Sequence, residues 1–247
     1  MSQENRYIAR FKTPDFLQRN EDQTIECPVY FDGNLVAPSV GIVSVFDESK
    51  NAIVDEQAIT VSSSISTYTI GAAILPTTLA LSELWTIKWV LTYGSIDYTF
   101  VRSAALVRTK LYPVVSDEDL KDIHIELDQF VEDSKTSYQS YIEAAFIDVE
   151  LRLLENGKRP YLVINPSSLY GLQKARALMY AFRDFWSSAG TASGKYKELS
   201  EVYAKEYELA WDRLGLTYDY DQNGFPDSGE TGQAGSPVIM TSLGGAW

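Results

Sequence analysis

The 247-residue sequence has little of the side-chain chemistry on which most enzymes depend. It contains one cysteine, Cys27, and one histidine, His124, so the chain can form neither an internal disulfide nor a metal site built on several histidines. A catalytic Cys–His pair would require these two residues to meet. Phosphate-binding loops, dinucleotide-binding glycine triplets and nucleophile elbows are absent too. We therefore predict no enzyme, although hydrolysis by two carboxylates from separate elements stays open.

Basic residues and long apolar runs are also scarce. The 21 Lys and Arg residues face 34 Asp and Glu residues, and the formal net charge is -13. A surface of this charge repels phosphate backbones, so sequence-specific DNA binding is not expected, and solubility alone is the simpler interpretation of the charge. No stretch approaches the roughly 18 consecutive apolar residues of a membrane helix, and the first residues lack the apolar core of a signal peptide. We expect a protein that is made in the cytosol and stays soluble, with no membrane partner.

The first half of the sequence is typical of β-structure. From 24 to 111, short segments rich in β-branched and aromatic residues alternate with Gly, Pro, Asn and Asp. The clearest is 84–93, where a period of two places Trp85 and Trp89 on one face. A Gly-Ser pair then predicts a hairpin turn. Six or seven strands at this spacing predict an immunoglobulin-like β-sandwich over residues 1–112.

The second half changes to a helical pattern. Ser116 and the three acidic residues after it predict an N-cap and a first helix from about residue 117, acidic along its length and facing solvent or a channel. Three more helices are predicted where apolar residues recur at intervals of three and four, over 136–155, 166–186 and 196–214. The sequence therefore predicts an α+β protein with a four-helix bundle over residues 113–216.

A separate segment, residues 217–247, is predicted to be an extended tail that begins with a calcium-loop pattern. Residues 219–230 carry acidic or amide side chains at loop positions 1, 3 and 5, glycine at 6, and acids at 9 and 12. The candidate ligands are Asp219, Asp221, Asn223, the carbonyl of Phe225, Asp227 and Glu230. Pro226 and the glycines that follow do not fit a paired EF-hand with an exit helix. A structural Ca²⁺ and a metal-free acidic turn are the two interpretations.

The end of the tail regains apolar side chains. Residues 217–247 contain no Lys or Arg and are rich in glycine and polar residues, so they cannot form a core of their own. The apolar residues of the tip are Pro237, Val238, Ile239, Met240, Leu243 and Trp247. An apolar tip on such an arm predicts a docking segment that becomes ordered on a partner, and a frayed or self-packed terminus is the alternative.

These parts together resemble the head-to-tail adaptor, or connector, proteins of tailed bacteriophages and gene-transfer particles. The resemblance is carried by Trp85-Thr86-Ile87-Lys88-Trp89, Tyr98-Thr99-Phe100-Val101-Arg102, Ala104-Ala105-Leu106-Val107-Arg108 and the run from Leu111 to Leu120. The segment from Arg102 to Leu120 is similar to the one that joins an immunoglobulin-like domain to a helical adaptor core. The later helices and the calcium-like turn before a proline-containing tail are also similar, so the resemblance covers most of the chain.

The resemblance implies a structural protein of the virion neck, assembled in the host cytoplasm. It implies a homo-oligomeric ring, commonly of twelve copies, beneath the portal protein and in contact with stopper, tail-completion or tail proteins. DNA would pass through without sequence-specific binding, an acidic channel face would keep it from adhering, and the tip at 237–247 would insert between portal subunits. The alternative is a calcium-dependent module that recognises a surface ligand through exposed aromatics of its β-sandwich.

Overall fold

The computed structural model describes residues 7–11, 13–124, 127, 137–188, 194–225 and 231–233. The chain divides into two compact units, the first made of residues 1–111 with 150–162 and the second of residues 112–149 with 163–247. Strands assembled into sandwich-like sheets come first and long helices follow. The predicted α+β class is therefore confirmed.

The described residues of the first unit form eleven strands in three sheets. They are β1 (Tyr7–Ala9), β2 (Asp15–Gln18), β3 (Gln23–Cys27), β4 (Val29–Phe31), β5 (Asn34–Leu35), β6 (Val40–Phe46), β7 (Ala52–Ala58), β8 (Thr60–Ser62), β9 (Ile65–Ile70), β10 (Ser82–Tyr93) and β11 (Ile96–Val107). The largest sheet has the order β2-β11-β10-β6-β7, and the smaller sheets have the orders β3-β9-β8 and β1-β4-β5. Among the strand pairs that the structure describes in this unit, β2 and β11 alone are parallel.

Strand β10 shows why this region forms a sheet with one buried face. Its alternating pattern buries Trp85 and Trp89 at 3% and 0% exposure, as the period of two predicts. Gly94 has a φ of 66°, which glycine adopts without strain, and it turns the chain so that Tyr93 pairs with Ile96. Pro28 separates β3 from β4, because it has no N–H to donate to a neighbouring strand.

The second unit is built around helices. They are α1 (Asp117–Lys121), α2 (Gln139–Glu155), α3 (Tyr170–Ser188) and α4 (Gly194–Asp212), and two short strands follow, β12 (Gly215–Thr217) and β13 (Thr231–Gln233). Only the part of α2 up to Val149 belongs to this unit. The apolar stripes of the helices supply the core, which includes fully buried Leu120, Ile142, Val149 and Leu178. None of the helices described is long and apolar enough to cross a membrane.

The first helix begins where it is predicted but is short. The Ser116 hydroxyl accepts a hydrogen bond from the Asp119 N–H at 3.3 Å, and the Asp119 carboxylate accepts one from the Ser116 N–H at 2.7 Å, which is a capping box. Helix α1 ends at Lys121, so the predicted acidic helix does not continue through residues 122–124. In the described part of the chain, three helices of 17 to 19 residues accompany one of five, and a four-helix bundle is not confirmed.

Candidate metal loop and buried charge clusters

The chain enters the candidate metal loop from a position that the second unit holds firmly. The Thr217 N–H donates to the side-chain oxygen of Asn165 at 2.9 Å, and the Ile164 N–H donates to the Thr217 carbonyl at 3.1 Å. Tyr218, which is buried, forms a β-bridge with Val163. Backbone contacts and the Asn165 side chain fix this segment. The direction in which the chain enters the loop is therefore defined.

Asp219 organises the first part of the loop. Its side chain has 0% exposure, and both carboxylate oxygens lie 3.1 Å from the backbone nitrogen of Gly224, which donates to them. Gly224 has a φ of 88°, a conformation that a side chain would strain. A buried carboxylate that accepts from the glycine five residues later closes the chain into a tight turn.

Asp221 and Asn223 continue the turn on the exposed side. The Asn223 N–H and amide group donate to the two carboxylate oxygens of Asp221, at 3.0 and 2.7 Å. The Asn223 side-chain oxygen in turn accepts from the Phe225 N–H at 2.6 Å. These are local side-chain-to-backbone bonds of the kind that Asp and Asn make in turns. The Phe225 ring is 72% exposed, so this residue contributes backbone and not packing.

Three of the predicted side-chain ligands, Asp219, Asp221 and Asn223, lie within five residues of the described turn. The other two, Asp227 and Glu230, lie outside the described residues, as do Pro237, Val238, Ile239, Met240, Leu243 and Trp247 of the tip. Among the described residues there is no group of three or more His, Cys, Asp and Glu side chains that could hold a metal ion. The oxygen donors suit Ca²⁺ chemically, and the calcium site stays a prediction.

The single histidine is held by a hydrogen bond and ring packing, and the single cysteine is buried. His124 Nε2 lies 2.6 Å from the Tyr203 hydroxyl, and its ring packs edge-on against Phe182 at 4.9 Å between centroids. Cys27 is 1% exposed in the first unit, and burial raises the pKa of its thiol to about 12. A thiol in this state is protonated at neutral pH, which makes it a poor nucleophile.

A cluster of buried ionisable groups in the first unit was not predicted. Glu150 is 6% exposed, and burial raises its pKa to about 7, against the opposing effects of a hydrogen bond from the Thr13 side chain and of the Arg102 charge. The Arg102 guanidinium lies 2.7 Å from an Asp15 oxygen and donates twice to the Thr13 carbonyl, at 3.0 and 2.7 Å. Burial raises the pKa of Asp15 and lowers that of Arg102, each against the attraction of the other.

The face of the strand or helix on which each residue lies was the sequence signal that could have predicted this cluster. In β11 the period of two places Arg102 on the same face as Phe100 and Ala104, which turns away from solvent. In α2, Glu150 follows Phe146 by one turn, on the apolar side of the helix. A charged residue at a core position predicts a charged or hydrogen-bonded partner.

A second cluster clamps the helices of the second unit to one another. Arg176 on α3 donates to the Asp148 carboxylate on α2 from two nitrogens, at 2.9 and 2.6 Å. The Tyr180 hydroxyl donates to the same carboxylate, and the Arg176 guanidinium stacks 4.9 Å from the ring centres of both Tyr180 and Tyr207. Although burial opposes it, the Asp148 contact keeps the pKa of Arg176 above its usual value. The Asp148 carboxylate accepts hydrogen bonds from these partners, and its role is to hold α2 and α3 together.

Comparison with known proteins adds little. No family model matches the chain, and no curated protein matches it. Among solved structures, the chain is similar to a fragment of the I-band of titin, at 12% identity over 44% of this chain and 36% of that chain, with a TM-score of 0.25. The chain thus spans about a third of the length of that structure. A likeness this low carries no argument about fold or function.

Proposed function

We propose that this protein is a structural head-to-tail adaptor of a tailed-phage neck, which forms a ring beneath a portal and lets DNA pass through it. One observation carries the proposal. The segment from Arg102 to Leu120, which resembles the adaptor junction, spans the boundary at Leu111 between the first and second compact units. Such a junction predicts strand on one side and capped helix on the other, and here β11 ends at Val107 while α1 begins at Asp117.

The charge of the chain supports a conduit for DNA. The net charge of -13 disfavours adhesion of a polyanion, and two carboxylates of the α1 region, Glu118 and Asp122, are exposed. Phosphate backbones would therefore slide past such a surface without binding. The tip at 237–247 would reach the portal and become ordered there, which is how an apolar segment on a polar arm contributes to assembly.

The alternative of a calcium-dependent binding module lacks a supporting observation. It requires exposed aromatic side chains on the β-sandwich, whereas Trp85 and Trp89 of the main strand are buried in the first unit. The immunoglobulin-like identity of the sheets and the four-helix adaptor core both belong to the adaptor proposal. A Ca²⁺ ion at residues 219–230 is part of the same proposal, where it would hold a segment that lacks a core of its own.

Oligomeric state is the direct test of the adaptor. The purified chain is analysed by native mass spectrometry and negative-stain electron microscopy, alone and after coexpression with a candidate portal protein. We expect closed rings, with twelve copies as the main species, formed by the chain alone or on the portal. A variant that lacks 237–247 should form fewer portal-bound rings. A chain that stays monomeric at every concentration and ignores the portal would show that the adaptor proposal is wrong.

A further inference from the structure

Helix α4 carries an exposed apolar face. Val202 and Leu209 are 47% and 51% exposed, and Lys205 lies between them on the same side of the helix, because residues separated by three, four and seven positions share a face. We call Val202, Lys205 and Leu209 the α4 stripe. The opposite side of α4 buries Tyr203 and Tyr207 in the second unit. The helix therefore has a packed face and a second, partly apolar face that the described residues leave exposed.

The α4 stripe is more than a single exposed apolar residue. Isolated apolar side chains are ordinary on a protein surface, but aligned ones mark a contact surface. A shallow groove beside the stripe is lined by Glu201, Ala204, Lys205, Glu208 and Leu209, so its floor is apolar and acidic side chains flank it. The aliphatic stem of a lysine can cover apolar surface while its ammonium group stays in water, so Lys205 does not interrupt such a surface.

The end of the described chain lies beside this helix. Strand β13 pairs with β12 so that Gln233 is opposite Gly215, and Gly215 follows the end of α4 at Asp212 by three residues. Fourteen residues, 234–247, come after Gln233. The described chain therefore ends at Gln233, next to the C-terminal end of α4.

The segment is long enough to reach the α4 stripe and to lie along it. From Gln233 to Val238 the chain can extend at most about 18 Å, since each residue spans up to about 3.6 Å. Leu209 lies only six residues before Gly215 in the sequence. Val202 and Leu209 are seven residues apart on the helix, or about 10 Å. An extended Val238–Leu243 covers about 17 Å.

The chemistry of the segment also fits the stripe. Residues 234–247 contain no Asp, Glu, Lys or Arg, so the segment itself would bring no charged side chain into the contact. Their large aliphatic residues are Val238, Ile239, Met240 and Leu243. These are the side chains that gain most from covering Val202 and Leu209.

We propose that in the isolated chain residues 237–243 lie along the α4 stripe of the same molecule. The inference goes beyond the proposed function because it needs neither a ring nor a portal. It means that the tip is covered until a stronger partner displaces it. An apolar arm stored in this way is kept from non-specific association.

Site-specific photocross-linking tests the contact. Leu209 is replaced by p-benzoylphenylalanine in the full chain, which is irradiated at low concentration and analysed by mass spectrometry of peptides. We expect cross-links to residues 237–247 within one molecule, at a yield about fivefold above that from the same probe at Ile96, which is 55% exposed in the first unit. Val202→Glu should lower the yield about fivefold. Val61→Glu, at an exposed site in the first unit, should leave it unchanged.

The controls separate the possible occupants. Val238→Asp combined with Ile239→Asp should abolish the cross-link and leave the folded core intact, because both residues lie in the tail. Absence of cross-links to 237–247 in the parent protein would overturn the proposal. Cross-linked dimers that decrease on dilution would assign the stripe to the tail of a second copy, and this result would overturn it as well.

Discussion

The guanidinium of Arg102 lies 2.7 Å from the carboxylate of Asp15, and the side chains of the pair are only 14% and 20% exposed. Strand β11 contributes the arginine, and its parallel neighbour β2 contributes the aspartate. The Arg102 charge also interacts with buried Glu150 in the same unit, so this cation serves two carboxyl groups. The first unit therefore depends on a charged contact at the edge of its largest sheet.

Loss of this cation should destabilise the protein strongly. Arg102→Met leaves Asp15 partly buried without its partner, and we expect the free energy of unfolding to fall by about 2–4 kcal/mol. Urea denaturation measures the loss. The matched control is Lys197→Met, which breaks an exposed pair with Glu201 at 3.9 Å and should cost less than about 1 kcal/mol. Equal losses of unfolding free energy in the two variants would show that the Arg102–Asp15 contact contributes no more to stability than an exposed ion pair.

Glu150 should make stability depend on pH. Its pKa is about 7 in the folded protein and 4.5 in the reference state, so the folded state binds more protons between these values. The stabilisation from protonated Glu150 is thus present below pH 4.5 and is lost as the pH rises through about 7. The free energy of unfolding of Glu150→Gln minus that of the parent protein should increase by about 2 kcal/mol from pH 5 to pH 8.

Denaturation curves at both pH values check this expectation. Glu83→Gln, at an exposed site of β10, is the control and should follow the parent protein at each pH. If Glu150→Gln shifts the free energy of unfolding equally at pH 5 and pH 8, Glu150 does not titrate in this range.

Local sequence rules predicted the elements of this fold better than its tertiary contacts. The alternation around Trp85 and Trp89 located β10, and Ser116 located the start of α1, because both signals act within one element. The break at Pro28 and the short α1 were missed. The Glu150 cluster was missed as well, since it depends on residues 48 to 137 positions apart that only the folded chain brings together. In the candidate loop, the turn residues 219–225 were predictable from Asp, Asn and Gly alone.

Replacement of glycine by alanine should have opposite effects on stability at two positions. At Gly41 in β6 an added Cβ would lie 2.5 Å from Leu91 Cδ2 and 2.9 Å from the Val90 carbonyl oxygen, so Gly41→Ala should destabilise the protein by about 1–3 kcal/mol. At Gly171 in α3 the nearest atom is the Ala210 Cβ at 3.9 Å. Gly171→Ala should therefore stabilise the helix by about 0.5–1 kcal/mol. Thermal unfolding of the two variants measures both signs, and stabilisation by Gly41→Ala would contradict the packing around β6.

Calcium uptake depends on whether the residues beyond the described loop complete the shell. Asp219 is unsuitable for the test, because its buried carboxylate accepts from the Gly224 N–H and its loss would disturb folding. Asp221→Asn combined with Glu230→Gln removes two charges from proposed ligands. We expect the parent protein to bind one Ca²⁺ in a calorimetric titration, and to gain about 2.7 kcal/mol of stability at a hundredfold excess over Kd. The double variant should lose both effects.

Asp55→Asn provides the control for charge, since Asp55 is an exposed carboxylate on β7 in the other unit. It should bind Ca²⁺ as the parent protein does. Equal uptake by the parent protein and the double variant would place any bound calcium elsewhere. No uptake by the parent protein at millimolar Ca²⁺ would leave residues 219–230 as a metal-free turn, held by the Asp219–Gly224 hydrogen bonds and the Asn165 contact to Thr217.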